Sequence, residues 1–395
     1  MSNRIYYQNP CCTEFDAVVT ARSTLADRPA VTLDTTAFYP TSGGQPNDTG
    51  LLGEARVVDV VESEAGEIWH VLDGELEPGT AVRGVVDWRR RFDHMQQHTG
   101  QHILSAAFDR LNHARTVGFH LGAEVSTVDF AIELSPSHIV AGEEEANRIV
   151  WEDRPVGIRF VDETEAVALP LRKEPERGGV LRVIDVEGYD LSACGGTHVA
   201  RTGAVGMIAV VSAEKLRGGT RLEFVCGGRA LRSLGTFRDA VAGCIHHLSV
   251  APSELPAAIE RLQADAKDQR KALKDIQERL AGYEAAALAA AARDADGVRE
   301  VVQAVDGRDQ AGLKAMALAI CSTPGFRVAL FSTSSPHVAV LAKSKDVGLD
   351  CAAVLKGLLA AFGGRGGGKP DLAQAGGLTG DLARILDAAR TAFES

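Results

Sequence analysis

Two short runs carry the residues best suited to chemistry: His98-Thr-Gly-Gln-His102 and, far downstream, Cys194-Gly-Gly-Thr-His198. Each sets two metal-ligating side chains four positions apart. On a helix, positions i and i+4 lie on one face, a turn apart, so His98 and His102 can point at one ion. Residues 93–110 read as that helix, with Ile103, Leu104, Ala107 and Phe108 behind the histidines. The second pair sits in a Gly-Gly turn, where the backbone sets the angle and can crowd an ion or a ligand. Three imidazoles and a thiolate make a nitrogen/sulfur set that suits zinc. Eleven histidines in 395 residues give ~0.3 His-x3-His pairs by chance. Spacing alone therefore leaves two readings open: a shared zinc set, or a histidine pair on a solvated helix face with an unrelated loop thiol. His94, one turn earlier, is read as a surface residue or one just outside the ligand set.

These side chains need a scaffold, and the chain reads as α+β in four parts. Residues 1–88 carry short strand-like runs, among them Ala17-Val-Val-Thr, Ala55-Arg-Val-Val-Asp-Val-Val and Ile68-Trp-His-Val-Leu. A small barrel closes so many short strands economically. Within it, residues 38–50 form either an ordinary hairpin loop or a binding loop. In the second reading its glycines admit a substrate while Thr41, Ser42 and Gln45 offer hydrogen bonds. Arg89, Arg90 and Arg91 read as a solvated face, or as a phosphate contact if they border a metal cleft. Residues 89–240 form an α/β core. His120 falls in its strand 116–121, as a structural histidine or one lining the metal pocket.

Residues 241–298 are a helical linker. Leu255, Ile259, Leu262, Ala266, Gln269, Leu273, Ile276, Leu280, Tyr283 and Ala287 recur at alternating spacings of four and three, a heptad seam. The expected helix covers 253–293. Its stripe needs a partner, either the same helix of a second chain in a homodimer or neighbouring helices of this one. Residues 299–395 read as a small α/β domain with a helix over 351–362. A glycine-rich run from Gly363 to Gly377 follows, as a flexible linker or as a cradle for RNA phosphates in which Arg365 and Lys369 supply the cations.

The formal net charge of −11 excludes a globally basic nucleic-acid binder but leaves room for a local basic site. The first residues lack the apolar core of a secretory signal, and no run is long enough to span a membrane. Seven scattered cysteines, an odd number, point to free thiols in a reducing cytoplasm.

Four ordered motifs resemble the alanyl-tRNA editing proteins of the AlaX family: Phe38-Tyr-Pro-Thr-Ser-Gly-Gly-Gln45, His98-x3-His102, Thr116-Val-Gly-Phe-His-Leu-Gly122 and Cys194-Gly-Gly-Thr-His198. The terminal glycine-rich run is similar to the C-terminal domain of alanyl-tRNA synthetase, itself related to the domain attached to DHH phosphoesterases. No segment ahead of the barrel suits an ATP-binding aminoacylation domain, so the resemblance is to the long, free-standing form. It implies one zinc held by His98, His102, Cys194 and His198, and hydrolysis of mischarged Ser-tRNA(Ala), with Gly-tRNA(Ala) as a second substrate. It implies a pocket role for His120, where the synthetase carries glutamine, and seryl contacts from Thr41 and Gln45. The acceptor end of tRNA(Ala) is the implied partner, with Arg365 and Lys369 as RNA contacts.

The rivals are weaker. A zinc peptidase needs Glu after the first histidine, and Thr99 stands there. A DHH phosphodiesterase needs Asp-His-His, and the nearest run is Ile245-His-His. A non-catalytic tRNA-binding or dimerisation module with a structural zinc remains as the alternative.

Overall fold

A computed structural model describes residues 2–172 and 179–394. The polar segment from Thr164 to Gly179 thus lies partly outside the described residues. The chain folds into two compact units, Met1–Cys244 and Ile245–Ser395.

The first unit opens with the expected barrel. Strands β1 (Glu14–Leu25), β2 (Arg28–Leu33), β3 (Gly50–Leu52), β4 (Ala55–Glu62), β5 (Ile68–Leu72) and β6 (Ala81–Val86) close in the order β1-β2-β5-β4-β3-β6. Period-two alternation sends Phe15, Ala17 and Val19 of β1 inward, where they join Val31, Phe38, Leu52, Val57, Ile68 and Val86. A Cβ on Gly84 would lie 2.4 Å from the Phe15 ring, so only glycine lets β6 pass that ring.

Helix α1 (Trp88–Asn112) leaves the barrel directly. The Asp87 side chain accepts the Arg90 N–H at its start, and His113 ends it in the left-handed conformation at φ 52°. From His94 to Phe108 every residue is buried, which explains why no amphipathic stripe marks this helix. Its apolar side meets the first unit's core through Met95, Ile103, Leu104 and Phe108. Gly100 makes the contact with strand Gly219–Cys226 close, since a Cβ there would stand 2.3 Å from Cys226 Sγ. Gln97 clips the same place, accepting the Cys226 N–H at 2.8 Å and donating to its carbonyl at 3.1 Å.

Around α1 lie two antiparallel sheets. Strands β7 (Thr116–Leu121) and β8 (Ser126–Phe130), helix α2 (Pro136–Trp151), strands β9 (Val156–Val161), β10 (Leu181–Val186), β11 (Asp190–Ala193), β12 (Ile208–Leu216) and β13 (Gly219–Cys226), and helix α3 (Gly227–Leu248) follow, with a short helix, Glu163–Ala168, between β9 and β10. One sheet runs β12-β13-β8-β7 and the other β9-β10-β11.

The arginine run is not a solvated face at Arg91. That side chain is wholly buried, paired with Asp48, and donates to the carbonyls of Pro10 at 2.6 Å and Ala37 at 2.5 Å. Arg90 donates to the Asn47 carbonyl at 2.8 Å. Both therefore pin the 38–50 loop to α1. His94 is buried too, and its Nδ1 has no partner among the described residues.

In the second unit, helix α4 (Leu255–Ala290) occupies most of the heptad segment. Strands β14 (Arg293–Ala295) and β15 (Val298–Val305), helix α5 (Gln310–Cys321), strands β16 (Phe326–Ser332) and β17 (His337–Lys343), helix α6 (Cys351–Phe362), strands β18 (Arg365–Lys369) and β19 (Leu372–Leu378) and helix α7 (Leu382–Glu394) follow. The sheet runs β14-β15-β16-β17-β19-β18. The heptad residues are not what α4 buries. Ala281 and Ala285 pack with Leu313, Met316 and Ile320 of α5, whereas Ile259, Leu262, Leu273, Ile276, Leu280 and Tyr283 stay exposed. Small alanines let two helix axes approach, which leucines on the neighbouring stripe would hold apart.

The glycine-rich run is neither linker nor loop but a hairpin at the sheet edge, with Arg365 opposite Gly376 and Lys369 opposite Leu372. Its glycines permit close strand approach: a Cβ on Gly366 or Gly368 would come within 2.4 Å of Ala375 or Ala373 atoms. Arg365 and Lys369 are both exposed, four positions apart on a strand and hence on one face.

Candidate metal centre

Four side chains converge in the first unit. The ligating atoms of His98, His102, Cys194 and His198 all lie within 4.8 Å of one another. His98 Nε2 is 3.3 Å from Cys194 Sγ, and His198 Nε2 is 3.4 Å from it. Zinc–nitrogen bonds of about 2.0–2.1 Å and a zinc–sulfur bond of about 2.3 Å, set tetrahedrally, separate such atoms by roughly 3.3–3.6 Å. The two imidazole–sulfur separations match that geometry, so the set could hold a metal ion. All three imidazoles turn their other nitrogen outward to a fixed partner. His98 Nδ1 meets Gln45 Oε1 at 2.8 Å, His102 Nδ1 meets Asp190 Oδ2 at 3.1 Å, and His198 Nδ1 meets Thr99 Oγ1 at 3.2 Å. The Gln45 oxygen and the Asp190 carboxylate can only accept, so they draw a proton to Nδ1 of His98 and His102 and leave Nε2 for the centre, and the Thr99 hydroxyl can do the same for His198.

Local structure explains each placement. His98, Thr99 and His102 ride on α1. Asp190 and Ser192 stand at alternate positions of β11, and Cys194 continues that alternation just beyond the strand. Asp190 accepts Arg172 Nε at 2.6 Å and the Ser192 hydroxyl at 3.0 Å, so its carboxylate is held before it reaches His102. Gly196 is a steric requirement, because a Cβ there would lie 2.1 Å from the His98 ring and 3.0 Å from Gln45 Oε1. We expect Gly196→Ala to weaken metal retention by about 10–100-fold, the range found when a ligand's supporting contact is lost. Chelator competition on the purified variant measures it, and unchanged affinity would show that the turn yields without cost.

Electrostatics prepare the donors. Burial opposes charge on Cys194, yet His98 and His198 beside it hold the thiol well below its ordinary value. Burial, with His98 adjacent, pushes His198 down to about 3 and keeps it a neutral donor. At His102 burial acts downward, but the Asp190 hydrogen bond and Cys194 lift it to about 9, so a bound ion must displace a proton from this ring. Asp190 itself is held below the carboxylate range against burial, by His102 and Arg172.

A cavity of about 960 Å³ reaches the centre past His102, Cys194 and Gly195, with Gln101, Thr116, Phe119 and Arg172 in its walls. Gln101 Nε2 and Thr116 Oγ1 both sit 2.8 Å from Ser105 Oγ.

The other sequence-derived residues fall elsewhere. Gln45 is wholly buried. Its carboxamide is taken up by His98 and by Thr197, whose N–H and hydroxyl it meets at 3.0 and 2.9 Å, so it orients a ligand rather than facing the cavity. The Thr41 hydroxyl accepts the Asn47 N–H at 3.1 Å and braces its own loop. His120 is exposed on β7 and is absent from the cavity wall. Its strand neighbour Phe119, which points the other way, supplies that wall and lies 5.3 Å from the His98 ring. Asp190 and Thr99 were missed by sequence reasoning. The Asp190-x-Ser-x-Cys194 alternation was a usable signal for the first, while nothing local marks the second.

Three family models match in chain order: tRNA synthetases class II (A) over residues 11–90, the threonyl and alanyl tRNA synthetase second additional domain over 181–223, and the DHHA1 domain over 297–395. The alanyl-tRNA editing protein AlaX-L of Pyrococcus horikoshii is 31% identical over 391 residues, spanning 95% of this chain and 94% of the relative. The chain belongs to the AlaX-L family. Alanine–tRNA ligases are also similar: that of Methanoculleus marisnigri is 34% identical over 98% of this chain, and that of Natronomonas pharaonis 36% over 98%. The chain spans only 42% and 43% of those ligases' own lengths, whereas it matches AlaX-L nearly end to end. Among solved structures, the C-Ala domain of Aquifex aeolicus alanyl-tRNA synthetase aligns with 26% of this chain and 98% of its own at 18% identity, with a TM-score of 0.25. As an AlaX-L relative the chain carries its ligand set entirely within the first unit. All seven cysteines are free, and no described helix is long and apolar enough to cross a membrane.

Proposed function

We propose that this chain is a zinc-dependent aminoacyl-tRNA deacylase that removes serine from mischarged Ser-tRNA(Ala), with Gly-tRNA(Ala) as a second substrate. The observation that carries the reading is the convergence of three imidazoles and one thiol, two of which, His102 and Cys194, line a cavity. Its volume lies within the range of ordinary ligand pockets, ~300–1,000 Å³, enough for a terminal nucleoside with its amino acid. Zinc, when bound by His98, His102, Cys194 and His198, supplies Lewis acidity toward the ester carbonyl.

The chain's own residues do the rest. Gln45, Asp190 and Thr99 hold the imidazole protons on Nδ1 and fix the ring planes. The wall pair Gln101 and Thr116 presents polar atoms able to take a seryl hydroxyl. A site built to hydrogen-bond that group rejects alanine strongly, which an apolar pocket cannot do. Arg365 and Lys369 on the edge strand of the second unit are the candidate RNA contacts, and their share of affinity should fall steeply with salt.

One observation favours a second reading. Four protein ligands complete a tetrahedron, as in structural zinc sites, whereas hydrolytic zinc usually keeps a position open. A non-catalytic tRNA-binding module would follow. Separately charged seryl-, glycyl- and alanyl-tRNA(Ala) discriminate: we expect rapid loss of the seryl ester, with the alanyl ester spared. If none of the three is hydrolysed by zinc-loaded protein, the module reading stands instead.

A further inference from the structure

Arg182 of β10 is a buried cation in an unusual setting. Among the described residues no carboxylate pairs with it. Its acceptors are three backbone carbonyls: Nε donates to Tyr7 at 2.9 Å, and Nη1 donates to Cys194 at 2.6 Å and to Gly196 at 2.9 Å. Nη2 is buried with no partner among the described residues. Keeping an unpaired guanidinium out of water is costly, so its retention needs a reason that a neutral side chain would not meet.

The geometry supplies one. The two carbonyls gripped by Nη1 flank Gly195, in the turn that carries the thiolate, and the Gly196 N–H is itself 3.4 Å from Cys194 Sγ. The turn is therefore held from outside by Arg182 while its inner face supplies the sulfur. The grip is anchored in turn. Two guanidinium groups approach the Tyr7 ring, whose centroid is 5.6 Å from Arg182 and 5.4 Å from Arg4. Arg4 donates to Tyr7 Oη at 3.1 Å and to Glu62 of β4 at 2.6 Å. A Cβ on Gly195 would sit 3.8 Å from Tyr7 Oη, so the N-terminal segment lies directly against the turn. A planar fork can hold several oxygens at fixed angles at once, which a lysine ammonium on a flexible stem cannot.

We propose that Arg182 is the positioning residue for the Cys194 ligand: it ties the Cys194–Gly196 turn to the barrel through Tyr7 and so sets the reach of the sulfur toward the three imidazoles. The inference rests on the metal reading above, and its test is metal binding by the full chain rather than turnover. Zinc affinity is measured by chelator competition for wild type, Arg182→Met and Arg182→Lys. Cobalt(II) replaces zinc in parallel, because sulfur ligation to cobalt gives a charge-transfer absorption that reports the thiolate bond.

Arg182→Met should weaken zinc binding by about 10–100-fold and diminish the sulfur–cobalt band. Arg182→Lys should fall between Met and wild type in both. A merely structural arginine would lower the melting temperature of the metal-free protein and leave affinity and band unaltered at temperatures where the variant is folded. That result overturns the proposal. If Arg182→Met does not fold, Arg182→Lys decides by the same two readouts. Wild type that takes up neither metal would sink the metal reading itself, an outcome distinct from wild type and variants binding alike.

Discussion

Cys194→Ala is expected to lose its zinc and, with it, deacylation of Ser-tRNA(Ala). The sulfur is the one anionic donor of the set and lies 3.3 Å from His98 Nε2 and 3.4 Å from His198 Nε2. Removing it leaves three neutral imidazoles, whose hold on a dication is weaker because no ligand charge offsets it. The loss should exceed the ~10–100-fold cost of deleting an outer partner. Asp190→Ala provides that comparison in the same assay, since Asp190 touches only the far side of His102. Zinc content by atomic absorption and single-turnover deacylation measure both. A Cys194→Ala protein that keeps one zinc per chain and hydrolyses the seryl ester at the wild-type rate would remove the thiolate from the mechanism.

Asp48→Ala should destabilise the first unit by about 3–5 kcal/mol, the cost of stranding a buried charge. Arg91 and Asp48 are both wholly buried, with Arg91 Nε 3.0 Å from each carboxylate oxygen. Asp48 also accepts the Tyr39 N–H at 2.6 Å, so one carboxylate ties α1 to the loop that carries Gln45. Loss of the pair should free that loop, and metal retention should decline together with stability. Urea unfolding followed by far-ultraviolet circular dichroism gives the first quantity and chelator competition the second. A change below about 1 kcal/mol would mean that the Pro10 and Ala37 carbonyls suffice to satisfy the guanidinium. Replacing both partners by apolar residues of matching shape should cost much less than either single loss.

What could be read from the chain alone is what depends on near neighbours. The i,i+4 spacing of His98 and His102 needs only a helix to become a shared face. The Gly-Gly turn before Thr197 and His198 needs only backbone freedom. Alternation at period two marks the barrel strands, and the 3.6-residue pattern behind His98 marks α1. The order of the four motifs, moreover, suffices to indicate the family.

Tertiary structure decided everything that depends on distant partners. Gln45 meets Thr197 across 152 positions, and no local pattern tells whether a loop glutamine faces a substrate or a ligand. Arg91 sits in a run of three arginines indistinguishable by composition, and only the arrival of Asp48 from the barrel loop makes one of them internal. His120 and Phe119 are adjacent, and the pairing of β7 with β8 determines which of them faces the centre. The heptad seam of α4 correctly implies a helix, yet the stripe it buries is set by the approach of α5, where alanines pack and leucines do not. The glycines near Arg365 read as flexibility in isolation. Opposite Ala373 and Ala375 they become the condition for a close strand pair, because the backbone that fills the space lies on the other strand.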